Sequence, residues 1–112
     1  MKVKNYRDVE GEAYPGVPGA KVRWLITEAD GAPNFSMRVI EIEPAHSSPQ
    51  HAHPFEHEVF TLAGEGSVWS EEGEATLRPG DTVFVSPDEP HQFRNTGTDM
   101  LQFICVIPVL GS

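Results

Sequence analysis

No ten-residue stretch of this 112-residue chain carries the periodicity of an amphipathic helix; short runs rich in Val, Ile, Phe, Thr and Trp follow one another, bounded by Gly, Pro, Asn and Asp. Extended runs are predicted at 21–28, 35–43, 58–62, 66–70, 74–77, 81–85, 91–94 and 99–107, with a turn cluster at 29–34 and a Glu71-Glu72-Gly73 turn. Strands at such close spacing predict an all-β chain folded as an antiparallel sandwich or barrel. No internal repeat, low-complexity tract or linker interrupts the series.

Alternation along these runs assigns faces. In 35–43, Ser36, Arg38, Ile40 and Ile42 share one side of the strand. In the last run Phe103, Cys105 and Ile107 share a parity, which predicts an apolar, thiol-bearing face toward the interior. Arg38 on an inward face would place a guanidinium where a substrate carboxylate could pair with it; the alternative is a position at the sheet's end beside Glu41 or Glu43. A buried cysteine such as Cys105 is more often a small hydrophobe than a nucleophile. Trp24 and Trp69 read as packing or interface residues.

Four of the five histidines form one pattern, His51-x-His53-x3-His57 and then His91. An i, i+2 pair on an extended chain points both imidazoles to one side, whereas on a helix they would diverge by roughly 200°. Pro54 cannot donate to a sheet ladder and would redirect the chain so that His57 enters from a neighbouring strand. Three imidazoles could then converge within about 2 Å of one ion. His91, between Pro90 and Phe93, would supply a fourth nitrogen from across a sheet. His46, in the Ser/Pro-rich stretch 44–49, reads as a loop residue. Glu56 could orient one of the ligating histidines or be a solvated loop carboxylate.

Composition excludes several functions. The net charge is −9, and residues 44–112 hold two basic against ten acidic side chains, which argues against nucleic acid as a partner. The single cysteine, Cys105, rules out an intramolecular disulfide and suits a reducing compartment. No stretch approaches the roughly twenty apolar residues a bilayer span requires, and residues 1–10 lack an apolar signal core, so a cytoplasmic location and no membrane contact are expected. Residues 1–14 are too polar to fill a core; they are expected to form an arm, within residues 1–20, that adds an edge strand to a partner in a homodimer.

The segment HAHPFEHEVFTLAGEG, His51 to Gly66, resembles the first conserved motif of the cupins, and PGDTVFVSPDEPHQFRN, Pro79 to Asn95, resembles the second. Six residues separate His57 from Gly64, placing His57 where cupins usually carry a glutamate ligand. Eleven positions separate Gly80 from His91, and Asn95 lies four beyond it, as the second motif requires. Two departures concern turns: the leading glycine of the first motif is Ala45, and the second motif's Pro-x-Gly is Ser86-Pro87-Asp88, a turn Pro87 and Pro90 would rebuild. A register with Glu58 rather than His57 as third ligand also fits the motif's longer variant.

The resemblance implies a single cupin domain over 1–112, an antiparallel double-stranded β-helix or jelly-roll barrel, with motifs at 45–66 and 79–95. His-Pro-aromatic-Glu-His-Glu resembles the four-histidine manganese cupins, implying one divalent ion per chain on His51, His53, His57 and His91. Mn(II) is the metal the resemblance implies; imidazole also suits Fe(II), Ni(II), Cu(II) and Zn(II). Four neutral ligands leave the ion its full +2 charge, which favours an anionic or enolisable small substrate. Two further coordination positions would allow a bidentate substrate, or substrate and dioxygen together, hence a dioxygenase-like enzyme. The alternatives are a structural zinc site, a non-catalytic binding or sensing barrel, and a redox-neutral isomerase or lyase. Phe103, Cys105 and Ile107, with Arg38, are the expected pocket wall.

Overall fold

Burial alternates without a break from Leu101 to Val106, every odd-numbered residue buried and every even one half-exposed, the signature of a strand with one face on a core. The computed structural model describes residues 1–109. Among them the elements are β1 (Glu12–Ala13), β2 (Ala20–Ile26), β3 (Phe35–Ile42), β4 (His57–Ala63), β5 (Gly66–Ser70), β6 (Gly73–Leu77), β7 (Thr82–Val85), β8 (His91–Asn95) and β9 (Leu101–Pro108), with short 3₁₀ turns at Tyr6–Asp8 and Glu28–Asp30 and no α-helix. All strand pairs are antiparallel, in one sheet of order β1-β2-β3-β9-β4-β7 and a second of order β6-β5-β8. The fold is a jelly-roll barrel.

Between the sheets Val22, Ile40, Ile42, Val59, Leu77, Val85, Phe93, Leu101, Phe103, Cys105 and Ile107 form one apolar cluster. Phe93 from the smaller sheet stacks on Phe103 from the larger, with centroids 4.5 Å apart, and joins the layers. At the mouth end of the smaller sheet, residues 46–51 run beside β8 as an irregular edge. Isolated bridges join Ser47 to Arg94 and His51 to His91, and the Ser48 hydroxyl accepts the Phe93 N–H at 2.8 Å. Pro44 and Pro49 cannot donate to a ladder, which keeps this edge from becoming a regular strand.

Two of the expected runs shift at their outer ends. The first run ends at Ile26 rather than Glu28, because Thr27 caps a 3₁₀ turn and the Asp30 carboxylate accepts its N–H at 2.9 Å. That hydrogen bond, with Lys4 and Lys2 nearby, holds the Asp30 carboxyl below its ordinary range. The last run starts at Leu101, after the Asp99 carbonyl has accepted a bond from Asn95. The polar arm pairs with β2 at the edge of the larger sheet: Glu12 lies opposite Val22 and Ala13 opposite Lys21. It also covers the outer face of the larger sheet, where Arg23 donates to the Val9 carbonyl at 2.7 Å and to the buried Glu41 carboxylate at 2.9 Å. That ion pair, with a donor from Gln102, satisfies Glu41, which is buried although it lies on the outward face of β3. It also leaves Arg38 without Glu41 as a partner, against one of the two sequence alternatives.

Candidate metal centre

The chain changes sheets at Pro54. His51 is bridged to β8 in one sheet and His57 opens β4 in the other, so the pieces of one short motif face each other across the barrel mouth. His51 and His53 bring their Nε2 atoms to 3.1 Å. With His91 they offer ring nitrogens that all lie within 4.8 Å of one another. His57 stands outside that trio, its ring centroid 4.9 Å from His53 and 5.2 Å from His91.

Two observations test whether an ion suits these residues. The Nε2 atoms of His57 and His91 are both buried and without a hydrogen-bond partner, an arrangement that costs free energy unless something else is bound there. Meanwhile the Nδ1 atoms are held: that of His91 lies 2.8 Å from the Glu89 carbonyl and that of His57 3.3 Å from the Cys105 sulfur. Imidazoles anchored at one nitrogen and open at the other are the usual state of metal ligands, so the donor set fits a divalent ion.

Electrostatics point the same way. Burial, followed by His53, His91 and Arg38, pushes His51 down to about 4. Burial, followed by the neighbouring histidines and Arg38, brings His57 to about 3, and burial with His91 and Arg38 also lowers His53. These imidazoles are therefore neutral near pH 7, with lone pairs available.

A cavity of about 20 Å³, room for roughly one water-sized molecule, lies behind the histidines and is lined by Tyr14, Arg38, Ser48, Phe103 and Cys105 among others. Arg38 points inward, stacked over Trp24 at 5.2 Å, with Nη2 3.9 Å from Cys105 Sγ and a buried, unpartnered Nε. Burial raises the Cys105 thiol above its ordinary value, against the opposing pull of Arg38.

Two sequence candidates lie elsewhere. Ile107 is buried in the core opposite Ser36, two pairs beyond the Arg38–Cys105 pair, and is not among the residues lining the cavity. Glu56 is exposed and its carboxyl interacts with that of Glu58, because the parity that sends His57 inward sends both flanking glutamates outward. The same parity turns Glu58 away from the face that His57 occupies. Burial and the neighbouring Glu56 raise the Glu58 carboxyl. His46 packs under Gly19, where any Cβ would fall 2.4 Å from its ring. Phe55 was not singled out from the sequence, yet its ring lies nearly parallel to His53 and His57, at 4.8 and 5.3 Å. Its signal was available in the shared parity of 53, 55 and 57.

The "Cupin domain" family model matches residues 38–107 of this chain. The chain is a cupin. Over its fold this cupin resembles the polyketide cyclase RemF from Streptomyces resistomycificus, with a TM-score of 0.90 and 31% identity across 97% of this chain and 80% of that one. In sequence it is 35% identical over 81 residues to Protein SchB of Streptomyces halstedii, spanning 70% of this chain and 59% of SchB. It is also 32% identical over 72 residues to the Oxalate-binding protein of Thermotoga maritima, spanning 63% of this chain and 60% of that protein. The matched part of the cupin is thus about three-fifths of these two relatives' length. No helix among its described residues is long and apolar enough to cross a membrane.

Proposed function

We propose that this cupin is a metal-dependent enzyme acting on a small anionic or enolisable substrate, with His51, His53, His57 and His91 as ligands of one divalent ion. The single observation that carries the substrate class is Arg38. A guanidinium inside the barrel, with a buried Nε that meets no acceptor, is costly unless a negative group arrives to pair with it. Among the described residues no carboxylate lines the inner cavity, so the substrate is the natural source of that negative charge.

A divalent ion held by four neutral imidazoles would supply Lewis acidity toward oxyanions. Around it, Arg38 binds and orients the anionic end, Trp24 fixes the guanidinium by stacking, and Phe55 walls the mouth beside His53 and His57. His51 and His53 are only half-buried, which suits a site that takes a substrate more than a closed structural zinc. Mn(II) is our assignment for the ion.

The reaction class we favour is redox-neutral enolate chemistry on a polycarbonyl substrate, ring closure above all. Support comes from the likeness to a polyketide cyclase across nearly the whole chain. Dioxygenase chemistry on the same substrate class is a second reading, since four protein ligands on an octahedral ion would leave two positions for substrate and dioxygen. Incubating manganese-loaded protein with linear 1,3-diketones and keto acids, with product analysis and an oxygen electrode, separates the two. Ring-closed product without oxygen uptake supports the first reading, and stoichiometric uptake the second. Arg38→Gln should raise KM at least tenfold for acidic substrates; an unchanged KM contradicts the role given to Arg38.

We also propose a homodimer. The outer face of β4, β7 and β9 carries Phe60, at 45% exposure, and Phe84, at 61%, beside Ile104 and Val106, an apolar surface of the kind that pairs two copies. Monomeric behaviour in sedimentation at micromolar concentration contradicts this. A cytoplasmic location remains our expectation.

A further inference from the structure

Two nitrogens converge on one sulfur inside the barrel. His57 Nδ1 lies 3.3 Å from Cys105 Sγ, and Arg38 Nη2 reaches the same atom at 3.9 Å. His57 is 2% and Cys105 1% exposed, so water does not substitute for either contact. An arginine offers only donors; toward Arg38 the sulfur is therefore the acceptor. An imidazole that gives Nε2 to an ion carries its proton on Nδ1 and needs an acceptor there. His91 meets that need with the Glu89 carbonyl at 2.8 Å. His57 opens strand β4 and finds sulfur instead, because β9 lies beside β4 with Cys105 opposite Val59, two residues along.

We infer that Cys105 is a positioning residue: its sulfur accepts the His57 Nδ1–H, fixes the tautomer that presents Nε2 to the ion, and tethers Arg38 beside the site. This rests on the reading of the histidines as ligands. It gives the thiol a role in placing a ligand, where its apolar surroundings alone would suggest simple packing. It also makes one atom the link between the metal side of the site and the guanidinium that receives the substrate.

The test uses zinc, which is diamagnetic, as the probe. Long-range nitrogen–proton NMR correlations report the His57 tautomer with and without zinc, and chelator competition reports affinity. The wild-type protein should show His57 protonated at Nδ1 in both states. Cys105→Val, which removes the acceptor and keeps the bulk, should lose that tautomer preference in the metal-free protein. It should also weaken zinc binding by about 10- to 100-fold, while Cys105→Ser, which retains an acceptor, should recover most of it. Should Val distort the core, Cys105→Ala removes the same acceptor without added volume. Unchanged tautomer and affinity in both apolar variants, with zinc binding by the wild type intact, would overturn the inference. A wild type that binds no zinc overturns the metal reading itself, and the metal-free tautomer then still shows whether Cys105 orients His57.

Discussion

The Nε2 atoms of His51 and His53 stand 3.1 Å apart, the separation expected of two nitrogens that each lie about 2 Å from a shared ion. Their positions follow from local chain geometry. Two residues apart on an extended segment, they share a face, and Pro54 then turns the chain toward the opposite sheet.

Acid should destabilise the metal-free protein through these side chains. His51 and His57 are held at about 4 and about 3, and His53 is also lowered, from an ordinary 6.5 that all three regain on unfolding. Between the unfolded and folded values the unfolded chain binds protons that the native one refuses, so stability falls as pH drops through that window. The denaturation midpoint should decline from about pH 6.5 downward, and the decline should be shallower in His57→Gln. Equal slopes in the two proteins would contradict the assignment.

Two turns retain glycine geometry without glycine. Ala45 and Asp88 are the non-glycine residues with positive φ among those described, at 66° and 64°, and they occupy two positions where the cupin motifs have glycine and this chain does not. A left-handed conformation costs an L-residue about 1–2 kcal/mol. Ala45→Gly should therefore stabilise the protein by about 1 kcal/mol and Asp88→Gly by less, since Asp tolerates that region better. Chemical denaturation checks both; a lower midpoint for Ala45→Gly would contradict the strain.

Asn95, the last residue of the second motif, acts on structure. Its amide nitrogen donates to the Ile42 and Asp99 carbonyls, both at 2.8 Å, and its oxygen accepts the Gly97 N–H at 2.9 Å. Asn95→Ala should cost about 2–4 kcal/mol by leaving buried partners unsatisfied, with metal stoichiometry unchanged in the folded fraction. Loss of metal from well-folded Asn95→Ala would contradict this division of labour.

Much of this arrangement was legible in the residues. Period-two alternation placed Ser36, Arg38, Ile40 and Ile42 on one face of β3, and Phe103, Cys105 and Ile107 on one face of β9. The same alternation, applied at 57, puts His57 and Glu58 on opposite faces of β4, as the structure has them. What it could not supply was register between strands distant in sequence. The His57–Cys105 contact depends on β9 lying beside β4, and the Arg23–Glu41 pair on the register of β2 against β3. The cavity also stops short of Ile107, a matter of depth along the barrel that face assignment does not address.

Metal content of tag-free protein, measured beside His57→Ala and His91→Ala, decides whether these histidines hold an ion. Close to one divalent ion per chain is expected in the wild type, manganese foremost, with loss of most of it in both variants, which should remain folded. Retention of a full equivalent by both variants, or none in the wild type after purification with added manganese, would contradict a four-histidine centre.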